Sequence, residues 1–384
     1  MGNKGPLHSE STQLLQSVVF IFDRVMHYHK ELFQRLDTLL PQFGFELILM
    51  SGREKHSTRG RVALREYIVH RQIEFDLTEI PVSSFMVRYQ HGLISSLKEL
   101  KPAVVVTTCH SGTISEWQIQ QLKRRLQFKH IAWQCGYEYN PGALKRFVLG
   151  KFVPRFDHHL AYHTNAKHFA IEHGARPDQV TVMHNTLNES AIECLTKAAA
   201  RSLLEQRYPK LKGKKIILYV GAVLVEKRLE VIFEALDILT KPDLMFVLVG
   251  DGQHLDVIHQ NFGQREDLIT TGRVVEGVGL YFDAADVFIL PGTGGLAINE
   301  AMAHGIAVIS GYADGSADDL VVNGKNGYLL QNGSADEIAT CLRNILTDLS
   351  VSRRMGEAGR EMIRGDLSFE RFIDRVVRVI CAKD

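Results

Sequence analysis

Chemistry is best supported in the 384-residue chain where a glycine-rich turn feeds an apolar helix, Leu290-Pro-Gly-Thr-Gly-Gly-Leu-Ala-Ile-Asn-Glu300-Ala-Met-Ala-His-Gly305. First-turn N–H groups of a helix lack intrahelical partners and carry partial positive charge, so a helix entered this way attracts anions. Gly292, Thr293, Gly294, Gly295 and Leu296 form the turn. Gly294 and Gly295 allow a close backbone approach that a Cβ would prevent. Glu300, about a turn into the helix among Ala297, Ile298, Ala301 and Met302, suits a hydroxyl-rich group such as a ribose. An acid favoured by the helix dipole is the competing reading.

A second turn, Gly221-Ala-Val-Leu-Val-Glu-Lys227-Arg228, puts two cations at a helix start, where the dipole disfavours them. A diphosphate lying between the two turns would compensate, with Lys227 as a point charge and Arg228 as a second donor. A solvated surface cluster would also explain the pair. Gly250, in Leu248-Val-Gly-Asp-Gly252, marks a tight strand-end turn and is weak alone.

These turns need a frame, and the chain supplies one by alternating short apolar runs with amphipathic stretches, the pattern of a parallel sheet covered by helices. Strands are expected at Val18–Phe22, Glu46–Met50, Val104–Thr107, His130–Trp133 and His159–Tyr162 in the first half, with helices over His29–Leu40 and Glu116–Leu126. In the second half the expected strands are Ile216–Val220, Met245–Val249, Val287–Leu290 and Ala307–Ser310, with helices over Leu229–Leu239, His254–Phe262 and Ile298–His304. Thr186–Lys215 reads as a charged helical linker. The fold class is α/β, with two doubly wound Rossmann-like domains, and such sheets bind ligands beyond the carboxyl ends of their strands.

Composition bounds the partners. The 45 Lys and Arg against 44 Asp and Glu exclude a uniform polyanion binder, and 45% hydrophobic residues exclude a disordered chain. The balance hides an asymmetry: residues 1–187 carry 23 basic and 16 acidic residues and 14 of the 17 histidines, and 188–384 carry 22 and 28. The longest apolar run, Ile216–Val225, is too short to cross a bilayer. The first fifteen residues lack the apolar core of a secretory signal, so a cytoplasmic location is expected. The five cysteines form no C-x-x-C pair and read as buried thiols.

With Gly221…Glu226-Lys227, Leu248–Gly252, Thr271-Gly-Arg-Val274, Tyr281–Pro291, Gly295-Leu…Glu300-Ala-Met-Ala-x-Gly305 and Asn323–Leu330 in order, the chain resembles retaining nucleotide-sugar glycosyltransferases of the GT-B fold, family 4 type. The resemblance is strong over about residues 185–380. Val18–Tyr28 and Val182–Asn188 match more loosely, and Leu367–Phe372 is similar to the family's last helix, which returns to the first domain. It implies an acceptor domain over 1–187, a donor domain over 188–366 and a returning helix over 367–384, the two domains facing a cleft.

Position by position, the resemblance implies that Lys227 binds the donor diphosphate, that Glu300 holds the nucleotide ribose, and that the backbone at Arg273 and Val274 meets the base. The family's first glutamate would stand at 292, where this chain has glycine, and its usual arginine at 222, where this chain has alanine. The backbone of Thr293 to Leu296 and the charge of Arg228 are the expected substitutes. The family often carries a histidine after the fourth or fifth first-domain strand. His110 is the expected cleft histidine, with His27 and His29 as other candidates and Arg24 also on the acceptor side, against a structural role for His110. His158, His159 and His163 read as core or surface residues.

The stretches Leu122–His130 and Gly142–Phe156 interleave cations with apolar residues, as segments lying on an anionic membrane do. An ordinary amphipathic helix with a solvated basic face is the other reading. No aromatic RNA-binding motif accompanies the charge, so no nucleic acid is expected. The expected reaction moves a hexose-type sugar with retention to a saccharide or lipid-linked acceptor, in cell-surface polysaccharide or lipopolysaccharide assembly, at the inner membrane face. No Asp-x-Asp motif is present, and no metal or other cofactor is expected. A nucleotide-sugar epimerase and an inactive nucleotide-sugar-binding relative are the alternatives.

Overall fold

The computed structural model of the chain describes residues 15–53, 68–82, 85–136 and 142–382. Residues 1–14, nearly all of the polar N-terminal stretch read above, lie outside them. Strands β1 (Gln16–Phe22), β2 (Phe45–Gly52) and β3 (Gln72–Phe75) are followed by the antiparallel hairpin β4 (Leu77–Val82) and β5 (Phe85–Gln90). Next come β6 (Val104–Thr107), β7 (Lys129–Gln134), β8 (His158–Ala161) and β9 (Val180–Val182). Without the hairpin, these strands form a parallel seven-stranded sheet in the order β3-β2-β1-β6-β7-β8-β9. Helices α1 (Lys30–Leu39), α2 (Leu93–Leu100), α3 (Ile114–Leu126), α4 (Ala143–Phe152) and α5 (Thr164–Glu172) connect them.

After α6 (Lys197–Arg207), the second sheet takes β10 (Lys215–Val220), β11 (Leu244–Val249), β12 (Leu268–Thr270), β13 (Val287–Leu290), β14 (Ala307–Ser310) and β15 (Gly327–Leu329) in the order β12-β11-β10-β13-β14-β15, again parallel. Its helices are α7 (Glu230–Leu239), α8 (Leu255–Phe262), α9 (Gly279–Ala284), α10 (Leu296–Ala303), α11 (Ala317–Leu320), α12 (Ala335–Leu346) and α13 (Leu349–Arg364). Strands β6, β11 and β13 are nearly or wholly unbroken apolar runs, as expected of parallel strands buried on both faces. Val104–Val106 and Val287–Leu290 are accordingly buried throughout.

The last helix, α14 (Phe369–Cys381), buries Phe369, Phe372, Ile373, Val376 and Ile380, spaced by three and four residues, in the core of the first sheet beside Val18, Phe20 and Trp133. Ser368 caps it by accepting from Arg371 N, and the Phe369 N–H donates to Glu189 Oε2 at 2.9 Å.

Three local expectations differ from the structure. The linker Thr186–Lys215 is helical chiefly over α6, because Thr196 accepts from Ala199 N and starts the helix there, while Leu195 N is held by Asp283 Oδ2 at 2.7 Å. Of the cysteines only Cys341 is buried, and Cys194, in that linker, is exposed. The stretch Leu122–His130 offers no apolar outer face, since Leu122 and Phe128 pack into the core; α4 does, with Leu144 79% and Phe147 65% exposed.

Candidate active site

In both sheets the strand order reverses once, and doubly wound sheets hold ligands beyond the carboxyl ends of the two strands at that point. In the second sheet these are β10 and β13, followed by the turns Gly221–Arg228 and Gly292–Leu296. The two turns are stitched together. Thr293 N donates to Glu226 O at 3.1 Å, and the Lys227 ammonium donates to Thr293 O. Lys227 is thereby held at the start of α10, its Nζ 3.6 Å from where a Cβ on Gly294 would stand.

Arg228, in the left-handed region at φ 54°, turns elsewhere: its Nη2 donates to Gly333 O at 3.0 Å, in the loop before α12. The expected second phosphate donor is thus engaged on a neighbouring loop. Gly292 is the tightest point. A Cβ there would lie 2.1 Å from Glu226 O and 2.6 Å from Lys227 Cα, so no side chain fits while the turns are stitched.

Gly221, Gly250, Arg273 and Val274 come together, lining a pocket of about 210 Å³ with Ala222 and Asp251 at the ends of β10, β11 and β12. Thr293 is exposed, Leu296 begins α10, and Glu300 follows just over a turn later, half-buried. Burial raises the Glu300 carboxyl above its ordinary value, and His304 on the same helix draws it back.

In the first sheet the order reverses between β1 and β6. Arg24, after β1, pairs with Glu79 of the hairpin at 2.6 Å, and neighbouring Asp23 accepts from Gln90 Nε2 at 2.6 Å. His27 is exposed, whereas His29 is buried, its Nδ1 accepting from Met26 N at 3.2 Å. Burial pushes His29 down to about 3, which keeps it neutral. His110 is exposed on the loop after β6, and its N–H donates to Glu116 Oε1 at 3.2 Å.

Glu116 is the residue that sequence reasoning overlooked. It is 2% exposed, accepts from Thr107 Oγ1 at 2.9 Å, and is pushed up to about 8 by burial. A signal existed: Glu116 shares the inner face of α3 with Ile119 and Gln120. His159 is buried against Gln134, His158 meets Thr181, and His163 caps α5.

Thr164 N, after β8, donates to Asp319 Oδ2 at 2.8 Å, Asn165 Nδ2 to Gly315 O at 3.2 Å, and His184 Nδ1 stands 3.3 Å from Asp319 Oδ2. Asp319 and Gly315 follow β14, so carboxyl-end loops of both sheets meet. Among the described residues the one grouping of metal-ligand type is Cys194, Asp283 and His304, with donor atoms within 4.8 Å. His304 Nδ1 lies 2.7 Å from Asp283 Oδ1 and its ring stacks on Phe282, at the far end of α10 from the turn.

Residues 201–362 match the family model of glycosyl transferases group 1. The chain superposes on Anabaena HepE in complex with UDP, with a TM-score of 0.74 at 12% identity, covering 95% of this chain and 99% of that one. It superposes likewise on sucrose-phosphate synthase from Thermosynechococcus elongatus, with a TM-score of 0.70 at 18% identity and coverage of 95% and 98%. The chain has the GT-B fold, and its residues 201–362 are similar to group 1 glycosyltransferases.

The matched residues contain all the second-sheet turns described above. Among curated relatives, a GDP-mannose-dependent phosphatidylinositol monomannoside mannosyltransferase of Mycolicibacterium smegmatis is 28% identical over 177 residues, covering 42% of this chain and 46% of that protein. The lipopolysaccharide core glycosyltransferase LpsE of Rhizobium meliloti is 27% identical over 176 residues, covering 44% and 50%. The chain spans half or less of the length of these relatives. No described helix is long and apolar enough to cross a membrane.

Proposed function

We propose that the chain transfers a hexose-type sugar, with retention, from a nucleoside-diphosphate donor in the second-domain crevice to a saccharide or lipid-linked acceptor in the first. The observation carrying this reading is the convergence beyond one strand pair of Lys227, the N-terminus of α10 and, a turn later, Glu300. These groups suit a diphosphate followed by a ribose diol. The pocket at Gly221, Gly250, Arg273 and Val274 suits the base, walled by backbone.

The chemistry follows from where charge develops. As the bond from the sugar's anomeric carbon to the diphosphate oxygen breaks, negative charge grows on that oxygen. The Lys227 ammonium and the first-turn N–H groups of α10 stabilise it without reorganising. The acceptor hydroxyl attacks from the same face, and the departing phosphate oxygen takes its proton, so the configuration is retained and no protein carboxylate need act as nucleophile. No metal is assigned a role. His110, exposed at the facing edge, is positioned for the acceptor side.

The relatives that act on phosphatidylinositol mannosides and lipopolysaccharide core favour a lipid-linked or surface-polysaccharide acceptor. The exposed Leu144 and Phe147 among Arg146 and Lys151 on α4 suit peripheral contact with an anionic membrane from the cytoplasmic side. The test is a screen of UDP-, GDP- and dTDP-sugars by thermal shift, followed by nucleotide release with and without oligosaccharide and lipid-extract acceptors. Acceptor-dependent release supports transfer. An epimerised donor without acceptor, or binding with no release under any acceptor, overturns it.

A further inference from the structure

Beside the start of α10 stands a carboxylate that the donor reading has not used. Asp314 lies in the loop after β14, the neighbour of β13, and Gly311 N at the root of that loop donates to Leu290 O at 2.8 Å. A Cβ on Gly295, the residue that caps α10, would lie 2.4 Å from Asp314 Oδ2. Only glycine at that cap admits the carboxylate. Its other oxygen is oriented by Ser316, whose N–H donates to Oδ1 at 3.1 Å and whose hydroxyl donates to the same atom.

The first domain closes over the same loop. His163 is 2% exposed, its ring interacts electrostatically with Asp314, and its Cε1 lies 2.7 Å from where a Cβ on Gly315 would stand. A buried imidazole and an oriented carboxylate therefore sit together where carboxyl-end loops of both sheets meet, next to the helix end that receives phosphate.

A carboxylate is a poor neighbour for a diphosphate, since like charges repel. It is a good neighbour for what the diphosphate carries, because sugar hydroxyls are donors and a carboxylate accepts only. Gly292 cannot supply such a group, for the steric reason above. We propose that Asp314 accepts the hydroxyls of the donor sugar and thereby sets which sugar the chain selects. This rests on the donor reading and adds the residue that discriminates within it.

The test is titration calorimetry on the full chain with UDP, GDP, UDP-glucose and GDP-mannose. For wild type, one nucleotide sugar is expected to bind more tightly than its bare diphosphate. Asp314→Asn should bind the bare diphosphate at least as well, through relief of repulsion, and lose about 10-fold or more of the sugar-dependent gain. Ser316→Ala, which keeps the carboxylate and frees its orientation, should lose part of that gain and guards against a folding defect in the first variant. If Asp314→Asn weakens diphosphate and nucleotide sugar by the same factor, or changes neither, Asp314 only shapes its loop and the inference is overturned while the donor site stands. If none of the four probes, nor dTDP or dTDP-glucose added to the set, binds wild type, the donor reading fails and takes the inference with it.

Discussion

Replacing Glu116 by glutamine tests how the first domain holds the loop that carries His110. The wild-type carboxyl is pushed from an ordinary 4.5 to about 8 by burial, against hydrogen bonds from His110 N and Thr107 that draw it down. The folded protein therefore keeps a proton up to pH 8 that the unfolded chain gives up near 4.5. Stability from this group is complete below pH 4.5, falls as pH rises, and is lost by about pH 8. At 1.36 kcal/mol per unit, the full shift is worth on the order of 4 to 5 kcal/mol. The glutamine amide of Glu116→Gln has no proton to lose, so the variant should gain on wild type by roughly that amount between pH 5 and 9. Urea unfolding of both proteins at matched pH measures the difference. His29 and His130, both lowered to about 3 by burial, slope the opposite way below pH 6.5, but they are common to both proteins and cancel. A wild-type-minus-variant difference that stays flat from pH 5 to 9 would refute a buried, protonated Glu116.

Further expectations concern the donor crevice and the membrane face. Lys227→Ala should reduce nucleotide release about 100-fold with little change in unfolding midpoint, because it removes a charge from the α10 start and leaves the core intact; turnover within a few fold of wild type would remove Lys227 from the phosphate site. Gly292→Ala places a Cβ 2.1 Å from Glu226 O, so it should part the two turns and weaken nucleoside diphosphate binding at least 10-fold in calorimetry. Because burial raises Glu300 above its usual range, diphosphate affinity should fall as pH drops toward and below its folded value, when protonation removes a ribose acceptor; Glu300→Gln should abolish that slope. Replacing both Leu144 and Phe147 by Ser should reduce sedimentation with vesicles rich in anionic lipid while leaving turnover on a soluble acceptor unchanged.

How much of this was legible in the sequence depends on whether a feature is local. The apolar runs at Val18–Phe22, Val104–Thr107, Ile216–Val220 and Val287–Leu290 are strands because burial on both faces demands unbroken apolar side chains, and that shows in a single segment. The glycine-rich entry to α10 and the turn at Lys227 were also legible, since a strand, a turn and a helix follow one another directly. The hairpin β4–β5 was not. Leu77–Val82 is only partly buried, so its alternation is faint, and its place is fixed by pairing with β5 and by Arg88 N donating to Gly112 O at 3.0 Å. Glu116 was missed for a related reason: an acid in a first helical turn reads as dipole compensation, and only tertiary packing shows it sealed beneath the His110 loop. Arg228 was read as a partner of Lys227 because the two are adjacent, but its positive φ sends it to Gly333 instead.

The two departures from the family pattern look in sequence like independent losses, a glutamate at 292 and an arginine at 222. The packing around Gly292 ties its identity to the turn before α7. Glu226 O and the Lys227 backbone occupy the volume a side chain at 292 would need, and the Thr293 N–H donating to Glu226 O holds them there. Restoring a glutamate alone would therefore unstitch the turns and displace Lys227, the cation the site most needs. A chain that keeps the turns together must find any sugar-facing carboxylate elsewhere. The nearest loop is the one after β14, where Asp314 reaches the same helix end through the space left by Gly295. The glycines at 292 and 295 thus act as a pair: one lets the turns after β10 and β13 close, and the other admits a carboxylate from the loop after β14.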